Sequence, residues 1–409
     1  MIILYVLCPA GDGSPRADIP VTLRNPMTLF LLKFLLVYGL MHGYVFLKAR
    51  AAFSLGPGTG VPVAFALLVM ALSPLAAGLL ARQGAEEAAR LATWGGYVWM
   101  ALVFLLVVML LAVDLYRGIV ILAGAAARAD LSAFTPGVKA AFLVPLVLST
   151  AATAWGFHEA LDIRTERVVI ETDRLPDHVE SVRICQLSDV HLGPIVREER
   201  LARMLDAVKR ENPDLLVSTG DLVDGRLSRM PGLVGQFREI RPALGMFAVT
   251  GNHEFYAGLD DALAFMKEAG FDVLRGEARD VGGLLTVAGV DDPAGRGFDL
   301  RGRSDGEREL LADLPRDRFV LFLKHRPVVE EESLGLFDLQ LSGHTHRGQI
   351  FPFNYVVDLY FSIRSGLHDL GHSHIYVSRG SGTWGPPIRF LAPPEVTVIE
   401  IVKRKRDQR

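Results

Sequence analysis

The sequence predicts two architectures in series: a bundle of about four transmembrane helices, then a layered α/β sandwich of two packed sheets flanked by helices. Three observations predict this. Residues 27–157 are dominated by Leu, Val, Ala, Phe and Gly, whereas acids and bases return at ordinary density after about Ile163. The later part alternates short apolar, β-branched runs with helical patterns, and its late strands outnumber its late helices. Five of those runs end in residues of metal-ligand type, and the carboxyl ends of strands are where open α/β sheets build their sites.

At 409 residues the chain has room for two or three domains. A net charge of −3 gives it no polyelectrolyte character and no case for nucleic acid as a partner. Its two cysteines, Cys8 and Cys185, lie far apart, which argues against a disulfide framework or a cysteine-rich metal site. Cys185 reads as a small buried apolar residue.

Residues 1–26 read as a tail rather than a signal peptide, for want of a clear cleavage site. The membrane region, 27–160, holds four runs long enough to cross a bilayer: Met27–Leu47, Val61–Ala81, Ala92–Val113 and Lys139–Phe157. In the first, Lys33 and His42 are costly at mid-membrane, and snorkelling or helix–helix hydrogen bonding is favoured over a functional polar site. Trp94, Tyr97 and Trp99 fit an interfacial belt. Gly118–Ala127 is too short to span, and either extends the third helix or lies at the interface. Four spans put both ends on one side, and basic residues lean slightly towards a cytoplasmic catalytic domain on a bacterial-type plasma membrane. The basic tail 403–409 leans the same way.

Within 161–402, strands are expected at Arg167–Thr172, Val182–Leu187, Asp214–Thr219, Gly245–Thr250, Leu284–Val290, Phe319–Leu323, Leu339–Leu341, Ile375–Val377 and Val396–Ile401. Helices are expected at Arg197–Glu211, Pro231–Ile240, Leu259–Ala269, Asp305–Asp313 and Pro327–Ser333, with a loop at Gly295–Gly306.

The five strand ends carry the chemistry. They supply Asp189-x-His191, then Gly220-Asp221 with Asp224, then Gly251-Asn252-His253-Glu254, then His325, then Gly343-His344-x-His346. Any one is an ordinary turn or a satisfied histidine. Five in about 160 residues are not readily accidental. Carboxylate, imidazole and amide donors without thiolates suit Mn²⁺, Fe or Zn²⁺. About seven donors exceed what one ion needs and imply two ions, the standard device for displacement at phosphorus.

As a set these motifs resemble the calcineurin-like metallophosphoesterase superfamily. Val377-Ser-Arg379-Gly-Ser-Gly-Thr, Pro386-Pro-Ile-Arg389-Phe and Pro393-Pro394-Glu395 resemble its YkuE/YaeI-like branch, which includes members with membrane-spanning N-termini. The resemblance covers about Glu166–Val402. It implies that Asp189, His191 and His346 hold one metal and that Asn252, His325 and His344 hold the other, with Asp221 bridging. It also implies that His253 stabilises the transition state or protonates the leaving oxygen. Asp224 and Glu254 are candidates to orient His253, or are simple loop and cap hydrogen bonds. The family often has Gly where this chain has Arg347. A positive φ would strain that residue, or its guanidinium reaches phosphate. Arg379 is a second candidate for phosphate, while Arg389 is expected to pair with Glu395 or another acid.

The expected function is a membrane-bound, binuclear metal-dependent phosphoesterase acting on a mono-, di- or pyrophosphate ester, with a lipid-linked substrate and the bilayer as partners. The rivals are a membrane sensor or scaffold with a regulatory metal domain, and a phosphodiesterase for soluble cyclic nucleotides.

Overall fold

The structure, a computed structural model, describes residues 26–225, 231–296 and 306–404. Most of the expected N-terminal tail, Cys8, most of the Gly295–Gly306 loop and the end of the basic tail lie outside the described residues. The chain divides into two compact units. One comprises residues up to His158 together with Gly385–Phe390, and the other comprises Glu159–Trp384 and the chain from Leu391 onward.

The first unit is built from α1 (Pro26–Phe53), α2 (Pro57–Arg82), α3 (Glu86–Ala127) and α4 (Val138–Glu159). All four are long and apolar enough to cross a membrane. Gly118–Ala127 proves to be the end of α3, whose 42 residues make a rod of about 60 Å. Phe34, Tyr38, Met41, Val45 and Ala49 fall at helical spacing on one stripe of α1. That stripe packs with Val103, Leu106 and Leu110 of α3 and Phe142 of α4. His42 sits in this seam. Its Nδ1 lies 2.7 Å from the Tyr38 carbonyl, and the Trp99 indole donates to its Nε2 at 2.9 Å. His42 is thus a helix–helix hydrogen-bonding residue, and Trp99 turns inward to it rather than outward to an interfacial belt. A Cβ at Gly96 would lie 2.4 Å from Ser73 Oγ, so α2 and α3 approach this closely because position 96 has no side chain.

Among the described residues the second unit holds two sheets, as expected, each of six strands. The first runs β1 (Arg164–Thr172), β12 (Glu395–Lys403), β2 (Ser181–Leu187), β3 (Leu215–Ser218), β4 (Met246–Ala248) and β5 (Asp272–Val273). The second runs β10 (Gly366–Asp369), β11 (His374–Val377), β9 (Leu339–Ser342), β8 (Phe319–Leu323), β7 (Leu285–Gly289) and β6 (Glu277–Val281). The helices are α5 (Glu198–Glu211), α6 (Pro231–Arg238), α7 (Asn252–Ala257), α8 (Leu259–Ala269), α9 (Glu307–Ala312) and α10 (Asn354–Val357).

Alternation decides where each strand residue goes. In β8, Phe319, Leu321 and Leu323 join Ile184, Leu215, Val217 and Ile399 of the other sheet in the layer between the sheets. Val320 and Phe322 point the other way, into a second cluster with Leu311 of α9 and Phe337. A strand buried on both faces must be apolar throughout, which is why β8 reads as an unbroken hydrophobic run. Cys185 is a free, buried thiol, as its place in the sequence suggests, and burial pushes its pKa up to about 12.

Two features of the topology place the site. β2, β3 and β4 are parallel neighbours in one sheet, and β8 and β9 are parallel neighbours in the other. The carboxyl ends of the two sets meet at one edge of the sandwich, where Asp221, after β3, lies 3.2 Å from His325, after β8. The expected helix at Pro327–Ser333 does not form, and a single 3-10 turn occupies Glu331–Ser333. The β-branched Val328 and Val329 disfavour a helix there.

Candidate metal centre

The five strand ends bring polar side chains to one place, and three of them, after β2, β3 and β9, turn through left-handed residues. Asp189 (φ 52°), His191 (55°), Asp221 (52°), His344 (70°) and His346 (47°) all hold left-handed backbone, which bulky residues rarely adopt. Glycines make room for these turns. A Cβ at Gly343 would fall 2.2 Å from Asp189 Oδ2, and one at Gly251 would fall 2.2 Å from Asp221 Oδ1.

Three overlapping groups of ligand-type atoms result, each compact enough to hold a metal ion. They are Asp189, His191 and His346, then Asp221, His325 and His344, then His191, Asp221 and His253. In the first, His191 Nε2 lies 3.0 Å from His346 Nε2, which is 3.4 Å from Asp189 Oδ1. In the second, His325 Nε2 lies 3.0 Å from His344 Nδ1 and 3.2 Å from Asp221 Oδ2. The same Asp221 Oδ2 is 3.7 Å from His191 Nε2, so one carboxylate oxygen faces both clusters. The other, Oδ1, accepts the His253 backbone N–H at 2.8 Å.

The donor chemistry fits divalent cations. Asn252 Oδ1 and His191 Nδ1 are buried and make no hydrogen bond, which is costly for polar atoms unless a ligand or ion engages the residue. The Nδ1 of His325 lies 2.8 Å from the Thr219 carbonyl; donating its proton there leaves Nε2 free to face Asp221.

Burial and mutual fields set the charges. Burial, then the field of His253, drives His191 down to about 3, so its imidazole is neutral. Burial and His325 likewise push His344 well down. Burial raises Asp189 to about 6. At Asp221 burial is outweighed by His325 and His253, which hold the carboxyl well below the usual range. At His325 burial is overcome chiefly by Asp221, which lifts it to about 10. The positive charge that Asp221 draws to His325 is one that a bound cation would supply instead.

His253 stands beside the clusters. Its Nδ1 lies 2.8 Å from Asp224 Oδ1. Burial opposes its charge, but Asp224 and Asp221 raise it to about 9. Glu254 is fully buried and knits the turns together. Its Oε2 accepts the backbone N–H groups of Asp221 and Gly251, and its Oε1 accepts that of Val223. Asp224 thus holds His253 directly, whereas Glu254 acts on the backbone that carries Asp221.

The two arginines diverge. Arg347 has φ 51° and is exposed beside the site. The Arg379 guanidinium is engaged by carboxylates. It forms an ion pair with Glu395 at 2.6 Å and another with Glu166. Glu395 is almost fully buried and needs a cation there, and Arg379, expected at phosphate, is the one that meets it.

Sequence reasoning missed an aromatic surround. Trp384 lies edge-on to His253 at 5.5 Å, and Tyr256 at 5.6 Å. Gln349 grips the Trp384 backbone from both sides, accepting its N–H and donating to its carbonyl. The only sequence signal was an aromatic residue closing a glycine-rich turn. Two buried ion pairs were also missed: Lys324–Glu307 and Arg326–Asp292, which flank His325 in the chain.

A family model for calcineurin-like phosphoesterases matches residues 182–348. A metallophosphoesterase of Aquifex aeolicus, itself uncharacterized, is 42% identical over 250 residues, spanning 61% of this chain and 95% of that protein. The chain belongs to the calcineurin-like phosphoesterase family. YkuE of Bacillus subtilis is 30% identical over 268 residues, 62% of this chain and 91% of YkuE. A Danio rerio protein named as a transmembrane protein with a metallophosphoesterase domain is 29% identical over 269 residues, 63% of this chain and 62% of that one. As a calcineurin-like phosphoesterase the chain is a metal-dependent phosphoester hydrolase. Its four apolar helices and this relative together point to a membrane protein.

Proposed function

We propose that the chain hydrolyses a phosphate ester or pyrophosphate at a centre of two divalent ions, on a substrate linked to lipid. The observation that carries the binuclear reading is the placement of Asp221, whose Oδ2 faces His325 at 3.2 Å and His191 at 3.7 Å. Asp189, His191 and His346 would hold one ion; Asn252, His325 and His344 would hold the other. Ions bound there would neutralise charge at phosphorus and make water nucleophilic near neutral pH.

The chain's own groups do the rest. Asp221 is fixed through its Oδ1 by the His253 backbone, so its Oδ2 cannot swing away. His253 carries the proton for the leaving oxygen, and Asp224 orients its ring and keeps it charged. Arg347, exposed one residue after His346, would meet a phosphate oxygen. The lipid-linked substrate is supported by the four membrane-length helices in the same chain.

The test uses leaving groups of different basicity. His253→Ala should slow an alkyl phosphate ester by roughly a hundredfold or more and a nitrophenyl ester much less, because the better leaving group needs no proton. Equal losses on both would remove His253 from the acid role.

A further inference from the structure

The segment Ile350–Phe361 follows the His344 and His346 turn, and the site chemistry does not use its outer side. Its side chains sort onto two faces. Phe353, Val357 and Phe361 are buried, and Phe361 packs edge-on against His344 with ring centres 5.3 Å apart. Phe351, Tyr355 and Leu359 are exposed, to 38%, 61% and 74%. They recur every four residues through α10 and the helical turns on either side of it, whose backbone bonds run from Ile350 to Phe361, and the Phe351 and Tyr355 rings meet edge-on at 5.8 Å. A contiguous stripe of large apolar groups in water marks an interaction surface. Gly348 brings a cation alongside. A Cβ there would lie 2.4 Å from the Asn354 backbone nitrogen, so the turn that carries Arg347 is pressed against the start of α10. Arg347 is exposed and makes no ion pair among the described residues.

An aromatic and aliphatic stripe beside an exposed arginine is the chemistry of the headgroup layer of an anionic bilayer. Four helices long and apolar enough to cross a membrane make a bilayer the apolar phase at hand. We propose that the Phe351–Tyr355–Leu359 face rests in the headgroup layer of an anionic bilayer and presents lipid phosphates to the adjoining centre. The second half of this statement rests on the phosphoesterase reading; the first does not. Because Phe361 joins the inner face of the same segment to His344, the ridge and the centre are one packed element.

The test uses the full-length chain in vesicles of phosphatidylcholine and phosphatidylglycerol. A nitroxide is placed at Leu359→Cys in a Cys8→Ser background, since Cys185 is buried. A control label sits at Glu199→Cys, on the exposed face of α5. The label at 359 should collide readily with oxygen and poorly with a water-soluble nickel chelate, and the label at 199 should do the reverse. Nickel accessibility at 359 equal to that at 199 would overturn the proposal. So would shielding from both reagents, which would mean that protein covers the face. Independently, the Tyr355→Ser, Leu359→Ser double variant should lower the ratio of vesicle-lipid to soluble-ester turnover by roughly tenfold, the effect of about 1.4 kcal/mol of lost interfacial binding. An unchanged ratio would overturn it. If the phosphoesterase reading were wrong, neither ester would turn over, and the nitroxide result would stand or fall alone.

Discussion

Left-handed backbone at Asp189, His191, Asp221, His344 and His346 costs on the order of 1–2 kcal/mol at each residue. Strain of that size persists only where the surroundings over-determine it, and here the determinants can be named. Glu254 is the chief one, through three backbone hydrogen bonds to the Asp221 and Gly251 turns. Glu254→Gln presents an amide where one of those N–H groups needs an acceptor. It should destabilise the chain by about 1–3 kcal/mol, measured as a shift in the urea midpoint, and weaken metal retention with it. Arg347 shares the left-handed strain without being a candidate ligand. Arg347→Gly should therefore raise stability, by about 1 kcal/mol, while raising KM for the ester if the guanidinium meets phosphate. Both effects are read on one purified variant, by melting and by kinetics.

At the scale of elements, the strand ends do the positioning, and they were also the most legible part of the sequence. β8 is apolar and buried throughout, and β2, β3 and β9 are mostly apolar, with Arg183, Gln186 and Gln340 as interruptions; each run stops just before its ligand-type residue. β8 leads directly into His325. Phe322 fills the cluster beneath α9 with Leu311 and Phe337. Phe322→Ala should cost about 3–5 kcal/mol in chemical denaturation. β5, β6 and β10 were not legible. They are short, and Glu277, Asp280 and Asp369 give them the composition of loops, because they lie at sheet margins where only part of each strand is covered. α7 was illegible for another reason: its six residues are the ligand turn Asn252-His253-Glu254 itself, too short for a helical period to show. The aromatic surround of Trp384 and Tyr256, and the ion pairs of Arg379, depend on which distant residues meet. No local pattern encodes those meetings.

At the scale of the whole molecule, the chain pairs a bundle of membrane-length helices with a hydrolase sandwich. The helices were legible from length and apolarity alone, because a bilayer selects for both. Their interior was not. The His42–Trp99 hydrogen bond and the Lys48–Asp114 ion pair at 2.5 Å tie α1 to α3 with polar groups that hydropathy reads only as defects. The hydrolase assignment rests on the family and on the convergence of five strand ends. The stronger claim, that two ions share Asp221, is the one most open to direct measurement. The full-length chain loaded with Mn²⁺ should give the electron paramagnetic resonance spectrum of an exchange-coupled pair, and Asp221→Asn should abolish that coupling. A wild-type spectrum showing only the hyperfine pattern of isolated Mn²⁺ at saturating metal would contradict the account.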